Sequence, residues 1–205
     1  EHRMHQRWTY RCYPTPAQTQ ALARTFGCCR FVYNWALSER ASAHEEEGRC
    51  VTYVQSSAAL AALKRRPETG WLNEVSSVPL QQALRDLQAS YSAFFAKRAC
   101  HPSFRRKGAR ATARYTRAAF KLEHGRRLAL AKIGVLRIRW DRLLPSAPSS
   151  VTVIQEASGR YYVSFVVEVQ IAAQRKTGRQ IGIDFGVTTL ATLSTGEKIA
   201  NPRHG

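Results

Sequence analysis

The sequence predicts an α+β fold, with helices gathered into residues 15–100 and strands into the two ends of the chain. Three observations carry this. Helix-start signatures at Thr15-Pro16-Ala17-Gln18 and Thr52-Tyr53-Val54-Gln55 precede apolar residues at helical spacing. Beyond residue 128 apolar and polar side chains alternate instead, the period of a half-buried strand. Between the two regimes, at residue 101, the chain turns strongly basic.

In chain order, residues 7–13 alternate and are rich in aromatics, which predicts a first strand that Pro14 ends. Thr15 then reads as an N-cap with Pro16 at the first helical position and Gln18 completing a capping box. Leu22, Phe26, Cys29 or Arg30, Tyr33 and Leu37 form one stripe of this helix, and Gly48 closes it. Thr52 caps a second helix that runs through Leu63 and stops at Pro67. A third begins near Pro79, with Leu80, Leu84, Leu87, Tyr91, Phe94 and Phe95 on one stripe. Three such helices make a small bundle, and the stripe aromatics read as its core.

From His101 to Arg142 there are 13 Lys or Arg against two acids, so these 42 residues carry +11 of the chain's +18. Arg105, Arg106 and Lys107 open the tract, and Arg110, Arg114 and Arg117 recur every three or four residues, with Phe104, Tyr115 and Phe120 among them. Strand patterns follow at 128–130, 135–140, 151–154 and 161–169, the last two joined by a Ser158-Gly159 hairpin signal. Residues 172–180 read as a polar linker. Ile181 to Gly186, Val187 to Leu193 and Glu197 to Ile199 then read as a β-meander turning at Thr195-Gly196.

Composition narrows the function. With 205 residues, 32 Lys and Arg against 14 acids, and 44% hydrophobic residues, the chain has material for a core and a charge that favours a polyanionic partner. No stretch is apolar enough for a membrane span, and the start shows no secretory signal, so no membrane partner is expected. Five cysteines without Cys-x-x-C spacing argue against a disulfide framework or a zinc site within the chain. They are expected to be buried small hydrophobes in a reducing compartment.

Two features could carry chemistry. Asp184 is the one acid in an otherwise apolar strand, on the same side as Gly182 and Gly186. That arrangement suits a hard oxygen ligand brought close to a metal or phosphate, and it equally suits an Asp opening a hairpin turn. The basic tract, with its interleaved aromatics, has the makeup of a surface that grips a nucleic-acid backbone and stacks bases. Its alternative is a solvated face.

Several motifs together resemble a known family. Tyr13-Pro14-x-x-x-Gln18, Phe31-Val32-Tyr33-Asn34, Pro102-Ser103-Phe104-Arg105, Gly182-Ile183-Asp184-Phe185-Gly186, the stretch Ala191 to Ile199, and Asn201-Pro202-Arg203 look like TnpB, the transposon-encoded RNA-guided nucleases related to type V CRISPR effectors. The resemblance implies a wedge-type β-barrel from residues 1–14 and 101–178, with a helical recognition lobe inserted at 15–100. Residues 179–205 would be the first strands of a ribonuclease-H-like RuvC domain. It implies Asp184 as the first catalytic aspartate and a Mg2+ ligand. Guide RNA and double-stranded target DNA are the implied partners, in a prokaryotic cytosol or nucleoid. Arg105, Arg106, Lys107, Arg110, Arg114 and Arg117 would meet the guide or heteroduplex backbone. Tyr53, Gln55, Ser56 and Ser57 would face the short motif flanking the target.

The family's second carboxylate, its zinc ribbon of paired Cys-x-x-Cys and its final Asp are not in this sequence. The chain therefore reads as the N-terminal portion of a longer Mg2+-dependent DNA endonuclease, inactive alone, with zinc expected only in the absent part. The alternative is an RNA-guided DNA-binding repressor of the same family that does not cleave. An older DNA-strand-transferase reading lacks a nucleophilic Tyr or His-x-His motif.

Overall fold

Thr15 ends one strand and opens one helix. Its hydroxyl accepts from the Gln18 N–H at 3.3 Å, while the Gln18 side chain accepts from the Thr15 N–H at 3.0 Å. The computed structural model describes residues 2–123, 126–171, 178 and 180–202. Around Thr15 lie β1 (His2–Tyr13) and α1 (Pro16–Glu47). Gly48 takes the left-handed backbone, φ +62°, that ends α1 and that residues with a Cβ avoid. A second capping box at Thr52 opens α2 (Tyr53–Leu63), a short 3-10 turn follows at Pro67–Asn73, and α3 spans Ser77–Phe95. α3 thus starts two residues before Pro79, which lies in its first turn, where its missing N–H costs nothing.

The strands are β2 (Ala111–Thr116), β3 (Phe120–Glu123), β4 (Arg127–Leu130), β5 (Gly134–Ile138), β6 (Ser150–Gln155) and β7 (Tyr161–Ile171). With β1 they form one sheet in the order β2-β6-β7-β1-β5-β4-β3. The β6–β7 hairpin turns at Ser158-Gly159 as expected, with Gly159 at φ +76°. Three-to-four spacing of Arg110, Arg114 and Arg117 does not mark a helix: Arg114 sits on β2 opposite Thr152, and Arg117 opens a 3-10 turn.

That turn decides the shape of the sheet. β2 and β3 are its two outer strands, yet only Arg117–Ala119 separates them. Four residue steps reach at most about 14 Å, whereas seven flat strands would hold their edges roughly 29 Å apart. The sheet therefore curls into a nearly closed barrel. Tyr115, Val151, Val153, Val163 and Phe165 are fully buried on its strands, and they join Leu22, Val32, Leu80, Leu84 and Leu87 of the helices in one apolar core. The stripe of α3 leaves this core at its end: Tyr91 and Phe94 are half-buried and Phe95 is 72% exposed.

Two compact units result, one of residues 3–170 and one of residues 171–205 with the first two residues. In the smaller, β8 (Ile183–Phe185), β9 (Thr189–Leu193) and β10 (Lys198–Ala200) form an antiparallel meander, as the sequence predicts. Ala191 is buried there, whereas Ile183, Phe185, Val187 and Ile199 are exposed. Most of the expected linker (172–177 and 179) and Arg203 lie outside the described residues.

The cysteine expectation needs correcting. Cys12, Cys28 and Cys29 are buried, but Cys50 and Cys100 are exposed, because both fall in connections just past helix ends. No helix among the described residues is long and apolar enough to cross a membrane.

Candidate functional site

The basic segment is anchored before it is exposed. Asn34 of α1 donates from Nδ2 to the Arg105 carbonyl at 3.0 Å and accepts the Arg105 N–H on Oδ1 at 2.8 Å. The Arg105 guanidinium then lies 3.8 Å over the Tyr33 ring and 3.6 Å from Asp86 of α3. Arg114 closes on the other oxygen of Asp86. One carboxylate thus holds two guanidinium groups, which fastens both the entry to β2 and β2 itself onto the bundle.

These contacts divide the six predicted backbone-gripping residues. Arg105 and Arg114 are about two-thirds buried and engaged with Asp86. Arg110 pairs with Glu156 at 3.0 Å, and Arg117 donates to the Pro148 carbonyl at 3.3 Å. Arg106 and Lys107 are exposed and have no ion-pair partner among the described residues. Of the interleaved aromatics, Tyr115 belongs to the core, Phe120 is half-buried, and only Phe104, at 59% exposure, presents a ring to solvent. A cleft of about 360 Å³ lies beside this segment, walled by α1 and by the β6–β7 hairpin.

Residues 52–57 form the first turn of α2 and the cap before it. Gln55 is exposed, but its side chain accepts from the Thr52 N–H at 2.8 Å. Ser56 is 4% exposed, and its hydroxyl accepts from Arg40 Nε and Nη2 at 3.3 and 3.1 Å. In this structure it does not reach a surface that DNA could touch, because helical geometry turns it toward α1 while its neighbours face out. Ser57 is half-buried, and Tyr53 carries the Arg85 guanidinium 4.7 Å over its ring.

Tyr53 also borders a groove of about 730 Å³ with Arg40, His44, Tyr91, Phe95 and His101. Arg40 has no carboxylate partner among the described residues; it bonds Ser56 and Gln88 and stacks on Tyr91. Burial lowers its pKa below the ordinary arginine value. Sequence reasoning missed Arg40 and this groove. The one available signal was a basic residue at position 40 one turn beyond the apolar stripe of α1.

Asp184 is the middle residue of β8, opposite Thr192 of β9, and is exposed. It therefore sits inside the ladder, ahead of the turn rather than in it. The flanking glycines have local duties. Gly182 exchanges bonds with Ser194, N–H to Oγ at 3.0 Å and carbonyl from N–H at 2.8 Å. A Cβ on Gly186 would lie 3.0 Å from the Thr189 carbonyl. Mg2+ takes several oxygen ligands. No cluster of His, Cys, Asp or Glu among the described residues is suited to a metal, so Asp184 alone does not complete a site.

Residues 4–49 match a family described as a helix-turn-helix domain; here they fold as β1 and the one long helix α1. A Streptomyces pristinaespiralis protein named "Putative RNA-guided DNA endonuclease" is 52% identical over 199 residues, 95% of this chain and 49% of that protein. An Escherichia coli K12 protein of the same name, InsQ, is 34% identical over 192 residues, 93% of this chain and 48% of that one. The chain thus spans about half the length of these curated relatives. The Salmonella dublin virulence protein VsdF is 33% identical over 104 residues, 46% of this chain and 87% of its own. A cryo-EM structure of a Cas12f1-sgRNA-target DNA complex aligns with 97% of this chain and 57% of that one, at 10% identity and a TM-score of 0.40.

Proposed function

We propose that this chain, which belongs to the TnpB family, forms the guide- and target-binding part of an RNA-guided DNA endonuclease together with its first catalytic carboxylate. The observation that carries the proposal is the 52% identity over 95% of the chain to a relative bearing that name. The barrel of β1–β7 is the wedge, α1–α3 the recognition lobe, and β8–β10 the opening of RuvC. Guide pairing would read sequence, while the protein reads a short flanking motif and the shape of the heteroduplex.

Within that assignment, Asp184 would give one oxygen ligand for Mg2+, which needs further ligands that the described residues do not group with it. Its place in a ladder rather than a turn supports the role, since a strand fixes a carboxylate more rigidly than a loop. Tyr53, Gln55 and Ser57 face the flanking motif, with Ser56 holding α2 against Arg40. Arg106 and Lys107 are the backbone-gripping cations of the tract, and Arg105 and Arg114 act through the shape they give it.

The test expresses the full reading frame that encodes this chain and loads the protein with guide RNA. Mg2+-dependent cutting of a plasmid carrying the matching target beside a randomised flank is the expected result. Guide-dependent target binding without cutting would assign the protein to the repressor class. Failure to bind guide RNA would overturn the proposal.

A further inference from the structure

The loop from Arg106 to Arg110 is held at both ends. Asn34 clamps its start through the two bonds to Arg105, and pairing of Ala111 with Gln155 begins the β2–β6 ladder at its finish. Between them Gly108 takes φ +85°, which lets the loop turn sharply. All five residues of this loop (Arg106, Lys107, Gly108, Ala109 and Arg110) edge the cleft of about 360 Å³, and Arg30 of α1 faces them across it. Glu156 neutralises Arg110, whereas Arg30, Arg106 and Lys107 have no carboxylate partner among the described residues. On the α1 wall stands Gly27, where an added Cβ would meet nothing within 4 Å. A glycine inside a helix costs stability relative to alanine. At this position it leaves the cleft wall without a side chain.

We propose that this cleft takes the phosphodiester backbone of a nucleic acid, gripped by Arg30, Arg106 and Lys107, with Asn34 and Asp86 as positioning residues that set the grip. The assignment rests on the nucleic-acid function proposed above and places it at one site. Three cations without a carboxylate partner among the described residues, set around a concave wall, match a row of phosphates. Asp86 draws Arg105 and Arg114 onto the bundle, so those two shape the cleft while leaving its charge to their neighbours.

The experiment measures affinity of the chain for a labelled RNA hairpin and for a DNA duplex over a range of salt. Removing both charges in Arg106→Ala/Lys107→Ala should flatten the log–log salt slope by roughly 1.4 to 1.8, since each phosphate contact contributes about 0.7 to 0.9. Gly27→Glu should weaken binding tenfold or more without lowering the urea midpoint, because it puts an anion into open space on a helix. Asn34→Ala should weaken binding, and Asn34→Asp, which keeps the acceptor for the Arg105 N–H, should recover part of it. Whichever probe responds, RNA or duplex, identifies the strand that sits there. Steep salt dependence that survives unchanged in the paired variant and in Gly27→Glu would remove the cleft and leave the nucleic-acid function standing. Absence of binding to both probes by the unaltered chain would overturn that function itself. If Asn34→Ala fails to fold, the paired variant and Gly27→Glu still decide.

Discussion

Asn34 and Arg105 exchange two hydrogen bonds across a separation of 71 residues, one donated at 3.0 Å and one accepted at 2.8 Å. The pair ties the middle of α1 to the start of the basic segment, so two motifs that look independent in the sequence form one structural joint. A backbone segment outside regular structure needs partners for its N–H and C=O groups, and one Asn side chain supplies both kinds.

Removing that joint should cost stability. Asn34→Ala leaves the Arg105 N–H and carbonyl without these partners in a half-buried setting, a loss of about 1–3 kcal/mol. Urea denaturation should show a lower midpoint at an unchanged slope. A midpoint equal to that of the unaltered chain would mean that water satisfies the segment without Asn34.

On the proposed function, residues 52–57 should separate into stabilising and motif-reading positions. Thr52→Ala should destabilise by about 0.5–2 kcal/mol through loss of the cap, and Ser56→Ala by about 1–3 kcal/mol because Nε and Nη2 of buried Arg40 lose their acceptor. Neither should change the flanking motif selected from a randomised target library by the complete protein. Tyr53→Ala and Ser57→Ala should relax motif preference, and Tyr53→Ala should also cost stability through loss of its Arg85 contact. A Ser56→Ala protein with altered preference and normal stability would reverse this division.

Asp184 is exposed, so Asp184→Asn should shift the thermal midpoint of the chain little. In the complete protein the same change should abolish Mg2+-dependent cleavage while guide and target binding persist, since the proposed function puts binding on the basic surface elsewhere. Full cleavage by the Asn variant would remove Asp184 from the active site.

The thiols provide a pH test. Cys50 and Cys100 are exposed and should react quickly with an aromatic disulfide reagent, whereas Cys12, Cys28 and Cys29 should react only on unfolding. Burial pushes Cys12 and Cys29 up to about 12 and Cys28 up to about 11. Because these folded values exceed the ordinary thiol value of 9.0, the unfolded chain loses its protons first as pH rises. Stability should therefore hold below about pH 9 and decline between there and pH 11–12. Tyr10, Tyr115 and Tyr161, also raised by burial, add to the decline. Reaction of all five thiols under native conditions would contradict the buried placement.

The sequence by itself determined the local elements. Both capping boxes, the Gly48 stop, the hairpin at Gly159 and the closing meander follow from interactions within a few residues, where backbone and side-chain preferences act directly. Its charge balance and motif set also pointed to nucleic acid and to the TnpB family. Which partners the charged and aromatic residues find depends on contacts between distant elements. The Arg residues of the basic tract look alike in sequence, yet Asp86 engages Arg105 and Arg114, Glu156 engages Arg110, and Arg106 and Lys107 face solvent. Tyr115 and Phe104 also look alike, yet one is core and the other exposed. The reason is distance along the chain. Asp86 lies 28 residues from Arg114, so their pairing depends on how α3 packs against β2. A barrel edge closed by three residues, and a cleft with Gly27 in its wall, exist only once those elements have met.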